Sequence, residues 1–170
     1  QTDGTWSACT KNSVTPLCEA VGSGSCRYID FDFGDDANGA GSGHNCSFSN
    51  PCRSFKNFGY YASAGDRPAT WLGVTPGDAI YLAGTLDGTE GWYEQSSGVW
   101  RMLALRSVNG TDRLLISGYP GGNAVLDPDY TTEAERSIIY VLQSSAPIYF
   151  RNFEIRDSYG YGIQIIENNT

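Results

Sequence analysis

From Arg101 onward the chain is a succession of short apolar pulses, RMLALR, RLLISG, AVLD, SIIYVLQ, PIYFRNFEIRD and GIQIIEN, separated by Gly, Pro, Asn, Asp and Ser. Runs this short, rich in β-branched and aromatic residues and bounded by turn formers, read as strands. Their spacing narrows the choice of fold. Ile139 and Ile163 stand 24 residues apart, and two further pulses, centred on Tyr149 and Ile155, fall between them. Three short strands in about two dozen residues is the turn of a parallel β-helix, a solenoid whose coils contact only their neighbours. A β-sandwich, with strands at intervals of about 8–12 residues, is the rival. The spacing favours an all-β, right-handed parallel β-helix.

The first hundred residues fit that reading as an entry segment. Residues 1–25 show no period and read as an irregular, disulfide-tied N-terminal segment; residues 26–170 read as the cap and first coils of the β-helix domain. CRYIDFDFG alternates Tyr28, Asp30 and Asp32 against Ile29, Phe31 and Phe33, the period of a half-buried strand. Phe55, Phe58 and Ala62 fall at helical spacing before Gly65, which predicts an N-terminal capping helix. The turn Pro76-Gly77-Asp78 opens a strand over Ala79 to Gly84.

A net charge of −8 with only two lysines, Lys11 and Lys56, argues against nucleic acid, since phosphate binding needs a surplus of Lys and Arg. All basic residues after position 100 are Arg, so an anionic ligand would be met there by local guanidinium groups. No apolar run approaches the roughly 20 residues of a membrane-spanning helix, so no membrane partner is expected. Five cysteines, Cys9, Cys18, Cys26, Cys46 and Cys52, crowd a loop-rich first third, which suggests an oxidising compartment and a secreted, extracellular or periplasmic protein. Cys46 and Cys52 bracket a short loop and are expected to pair; two of the other three pair and one is left over. Zinc is disfavoured, because there is no Cys-x-x-Cys and His44 is the only histidine.

The ordered set YIDFDFGDDANGAGSG, NPCRSFKNF, TPGDAIYLAGT, DRLLISGYPGGNAVLD and IYFRNFEIRDSYGYGI resembles the N-terminal part of right-handed parallel β-helix proteins of the pectate-lyase-like superfamily. The similarity spans roughly residues 27–170 and is greatest to a subgroup that includes secreted polysaccharide lyases. It implies a lyase cleaving an acidic, uronate-containing polysaccharide by β-elimination, with Ca2+ as the one expected cofactor. That fold also hosts glycoside hydrolases, epimerases and fibres, so the alternative is a non-catalytic extracellular glycan-binding or structural β-helix module. A β-helix whose last strand is followed only by Asn-Asn-Thr has no cap. The expectation is therefore the first coils of a longer protein, covered by a missing C-terminal part or a second chain.

Alternation along IYFRNFEIRD turns Ile148, Phe150, Phe153 and Ile155 inward and leaves Tyr149, Arg151, Glu154, Arg156 and Asp157 facing solvent. Arg151, Glu154, Arg156 and Asp157 are the catalytic candidates, and Tyr149, Tyr159 and Tyr161 the substrate-binding ones. Arg pairs bidentately with a carboxylate, and Tyr adds a flat face and a hydroxyl. An ordinary solvated strand face with ion pairs would show the same pattern. Hydrolysis would instead use a carboxylate pair drawn from Glu154, Asp157 and Glu167. Asp35, Asp36 and Asn38 carry the hard oxygens calcium prefers, though in a Gly/Asn turn. The acceptor pattern for N-glycosylation occurs at Asn45-Cys46-Ser47, Asn109-Gly110-Thr111 and Asn168-Asn169-Thr170.

Overall fold

The computed structural model describes residues 17–39, 45–61, 64–87, 93–96, 99–120, 123–127, 136–156 and 160–167. Short β-branched runs cut by turn residues produce eleven strands there: β1 (Cys26–Asp30), β2 (Ala79–Ala83), β3 (Thr85–Asp87), β4 (Tyr93–Ser96), β5 (Val99–Arg106), β6 (Leu114–Gly118), β7 (Val125–Asp127), β8 (Arg136–Leu142), β9 (Ile148–Arg151), β10 (Glu154–Ile155) and β11 (Tyr161–Ile166). They form three sheets, in the orders β1-β2-β6-β9, β10-β7-β3 and β11-β8-β5-β4. Every pairing is parallel except β4 with β5.

The expected regular right-handed parallel β-helix is corrected here: the chain forms three short parallel sheets, none closed or solenoid-like. The 24-residue interval that suggested uniform coils is a local property. It separates Ile139 from its partner Ile163, but the step is 34 residues from Leu114 to Ile148, 36 from Ala79 to Leu115 and 53 from Cys26 to Ala79. The antiparallel β4–β5 pair breaks the pattern further. The β-sandwich is not formed either, since sandwich sheets are antiparallel and these are not.

The capping helix is corrected too. Its apolar spacing is satisfied by a single 3-10 turn, Phe55–Asn57, whose N-cap Ser54 accepts from the Lys56 N–H. Phe55 and Phe58 are both buried by that one turn. The chain then leaves helical geometry because the Tyr60 N–H is taken by the Ala104 carbonyl of β5 at 2.7 Å. Gly65 lies in a second 3-10 turn, Ala64–Asp66, rather than closing a helix; Ala62 lies outside the described residues. Phe33, which the alternation set on one face with Ile29 and Phe31, is 56% exposed. Strand β1 ends at Asp30, whose Oδ1 accepts from the Asp32 and Phe33 N–H groups and turns the chain away.

Parallel register stacks like upon like. Ile80, Ile116 and Phe150 form one apolar row across the first sheet. Leu103, Ile139 and Ile163 form another across the third, and Leu105, Val141 and Ile165 a second. Their members on β2, β5, β6, β8 and β9 meet Leu86 and Leu126 of the second sheet in one core with Phe31, Phe55 and Phe58. The outer face of the first sheet carries its own aromatic layer, in which Tyr28 stacks on Tyr81 with ring centroids 5.4 Å apart and Tyr119 packs edge-on. At the corner between β9 and β10, Asn152 takes a positive φ of 58°, as Asn tolerates. Its carbonyl comes so close to Gly118 that any side chain there would collide with it.

Candidate functional site

The residues singled out in the sequence are split among the three sheets. Tyr149 and Arg151 lie on β9 of the first, Glu154 and Ile155 form β10 of the second, with Arg156 following, and Tyr161 opens β11 of the third. Alternation held along this stretch: Tyr149, Arg151, Glu154 and Arg156 are exposed, and Ile148, Phe150, Phe153 and Ile155 pack against the core. Asp157 and Tyr159 lie outside the described residues, as do Cys9, Lys11, His44 and Asn168.

Two of the candidate arginines already have carboxylate partners. Arg151 donates to Glu19 Oε1 and, through Nε, to Ser117 Oγ at 3.3 Å. Arg113 reaches the other Glu19 oxygen at 3.6 Å and donates to the Glu19 carbonyl at 3.1 Å. With the Glu19 N–H on the Tyr81 hydroxyl at 2.9 Å, this hub ties the entering chain to the first sheet. Arg156 grips Glu154 bidentately at 2.8 and 2.9 Å, which lowers the Glu154 pKa.

Asp35, Asp36 and Asn38, the residues named for calcium, each also hold the chain. Asp35 Oδ1 accepts from the Ala37 N–H, and Asn38 Nδ2 donates to the Pro51 carbonyl. Asp36 accepts from the Arg53 and Ser54 N–H groups and, at 2.6 Å, from the Ser54 hydroxyl. Among the described residues no group of three or more His, Cys, Asp or Glu is placed to hold a metal. Asp36 does line a surface cleft of about 630 Å3, together with Asp32, Asp87 and Arg53. Three carboxylates to one guanidinium repel an anionic chain.

A second groove, about 280 Å3, has the opposite character: Tyr60, Arg67, Trp71 and Arg106 line it and, among the described residues, no Asp or Glu does. Its walls are fixed by backbone. Beside the Tyr60 to Ala104 bond, the Leu72 and Gly73 N–H groups both donate to the Asn57 carbonyl, at 2.7 and 3.0 Å. The Trp71 indole N–H donates to the Gly59 carbonyl at 2.8 Å, which orients its ring. Gly73 has a φ of +68° and lies against that ring, a position no side chain would fill without strain. The Arg67 guanidinium sits over Trp71, 4.1 Å from the ring centroid. Arg106 sits 5.1 Å from the Tyr60 ring and donates to its hydroxyl at 3.1 Å. Neither guanidinium has a carboxylate partner among the described residues.

Sequence reasoning did not pick these four side chains, because they come from two loops and a strand end that only tertiary contacts bring together. The available signal was the preference for Arg over Lys, since a guanidinium stacks on aromatic faces as an ammonium does not.

The pairing of Cys46 with Cys52 stands, and Cys18 pairs with Cys26. Two disulfides fit an oxidising compartment. Among the described residues no helix is long and apolar enough to cross a membrane. No protein-family model matches the chain, and comparison with curated proteins and with solved structures finds no match.

Proposed function

We propose that the protein is secreted and binds an acidic, uronate-containing polysaccharide in the groove of Tyr60, Arg67, Trp71 and Arg106, cleaving it by β-elimination. The observation that carries this reading is a pair of guanidinium groups lying on aromatic rings in a groove that no carboxylate of the described residues lines, in a chain of net charge −8. Arg supplies paired donors to a uronate carboxylate, and an aromatic face takes the apolar side of a sugar ring.

Elimination needs the sugar carboxylate neutralised, so that the C5 proton becomes acidic, and a base to remove it. An Arg–carboxylate pair does the first. Tyr60, whose hydroxyl oxygen accepts from the Arg106 N–H, does the second: its oxygen takes the C5 proton as the C4–O bond breaks and the C4–C5 double bond forms, and its own hydroxyl proton passes to the leaving oxygen. No step passes through a metal.

The test is incubation with pectate, alginate and other polyuronates, with and without calcium, while unsaturated uronide is followed by ultraviolet absorbance and binding by calorimetry. Product together with binding supports the lyase. Binding without product supports the second reading, a non-catalytic extracellular glycan-binding protein, which is favoured by the surface exposure of Arg67 and Arg106. Neither binding nor product overturns both.

A further inference from the structure

Three features bear on the two acceptor patterns that fall within the described residues, and they separate them. Asn109 is exposed, on the turn between β5 and β6, and its side-chain oxygen accepts from the Ser145 N–H at 3.1 Å. That bond fixes the carboxamide through Oδ1 and leaves Nδ2 without a hydrogen bond among the described residues. An N-glycosidic link uses Nδ2 and keeps Oδ1 as an acceptor, so the anchored geometry survives modification. Thr111, whose hydroxyl completes the pattern, is exposed and likewise unbonded among the described residues.

The pattern at Asn45 is built differently. Its middle residue, Cys46, is fully buried and locked to Cys52. The Cys46 N–H donates to the Asn38 carbonyl and its own carbonyl accepts from Tyr28. The Ser47 hydroxyl lies 3.3 Å from that of Ser49 and is half-buried. Closing so short a disulfide loop fixes the backbone that a transferase must draw out.

We infer that Asn109 is an N-glycan acceptor of this chain and that Asn45 is not. In the transfer, Asn109 Nδ2 attacks the anomeric carbon of a lipid pyrophosphate-linked oligosaccharide; the carbon–oxygen bond to the pyrophosphate breaks, the pyrophosphate lipid leaves and the amide loses one proton. The glycan then stands beside Val108, in the wall of the arginine–aromatic groove.

The experiment is secretion of the full chain from a eukaryotic host, with intact mass and peptide mapping before and after an amidase that removes N-glycans and leaves Asp at each occupied position. Expected is Asp at 109 and unchanged Asn at 45, with occupancy of 109 lost in Asn109→Gln and Thr111→Ala and kept in Thr111→Ser. Secreted chain with bare Asn109, occupancy of 109 persisting in Thr111→Ala, or an occupied Asn45 overturns the inference.

Discussion

Arg67 and Arg106 are solvated at their tips and held at their planes, so truncating either removes a charged donor without opening the core. A hydrogen bond to a charged group is worth about 1.5–3 kcal/mol, which predicts that Arg67→Ala and Arg106→Ala each weaken oligouronide binding about 10-fold or more by calorimetry. Lysine at either position recovers only part of that, since it loses the planar stack. Tyr60→Phe keeps the ring and loses the oxygen; binding should change by a few-fold and elimination fall about 100-fold or more, the usual contribution of a positioned proton-transfer group. Two other tyrosines act on stability. Burial pushes Tyr28 up from 10.0 to about 12, helped by the nearby Tyr81 and Tyr119, and does the same to Tyr61, helped by Asp36. The folded state therefore keeps protons that the unfolded chain releases, and stability, intact below pH 10, falls as pH rises toward 12. Urea unfolding at stepped alkaline pH should show a declining midpoint there, less steep in Tyr61→Phe.

At the scale of elements, the shortest pieces depend on side-chain anchors. The turn Phe55–Asn57 is too short to stand on its own hydrogen bonds, and the Asp36 carboxylate supplies what is missing by accepting from Arg53, Ser54 and the Ser54 hydroxyl. Asp36→Ala leaves a buried Ser54 hydroxyl with less to bond and should cost about 1–3 kcal/mol in urea unfolding. Asp36→Asn, which keeps one acceptor oxygen, should cost less. The loop carrying Trp71 hangs from Asn57, so the same substitution should loosen the groove, read as a drop in uronide affinity in step with stability.

Across the whole molecule, burial decays along each register row toward β9 and β11. Ile139 is fully buried, while its neighbour Ile163 is 38% exposed and Ile165, next to Val141, is 63% exposed. Ile139→Ala should cost about 2–5 kcal/mol, as deleting buried methyl groups does. Ile165→Ala should cost under about 1 kcal/mol, because most of its surface is already in water. Thermal or urea unfolding of the two variants checks the gradient; equal costs would mean that Ile165 is covered in solution.

The strands from Arg101 onward, the inward set Ile148, Phe150, Phe153 and Ile155, and the Cys46–Cys52 bridge were legible in the residues themselves. Each rests on local physics: period-two alternation, turn formers between apolar runs, and two cysteines six residues apart. The capping helix was misjudged because Phe55 and Phe58 satisfy one 3-10 turn as well as a helix, and the Tyr60–Ala104 bond between distant segments decides which forms. The uniform coil was misjudged because one 24-residue step carries no information about the longer insertions before it. The fate of the arginines was beyond any local signal. Arg151 and Arg67 look alike in sequence, and only the packed structure sets one against Glu19 and leaves the other on Trp71, because which charges meet depends on how the sheets bring remote segments together.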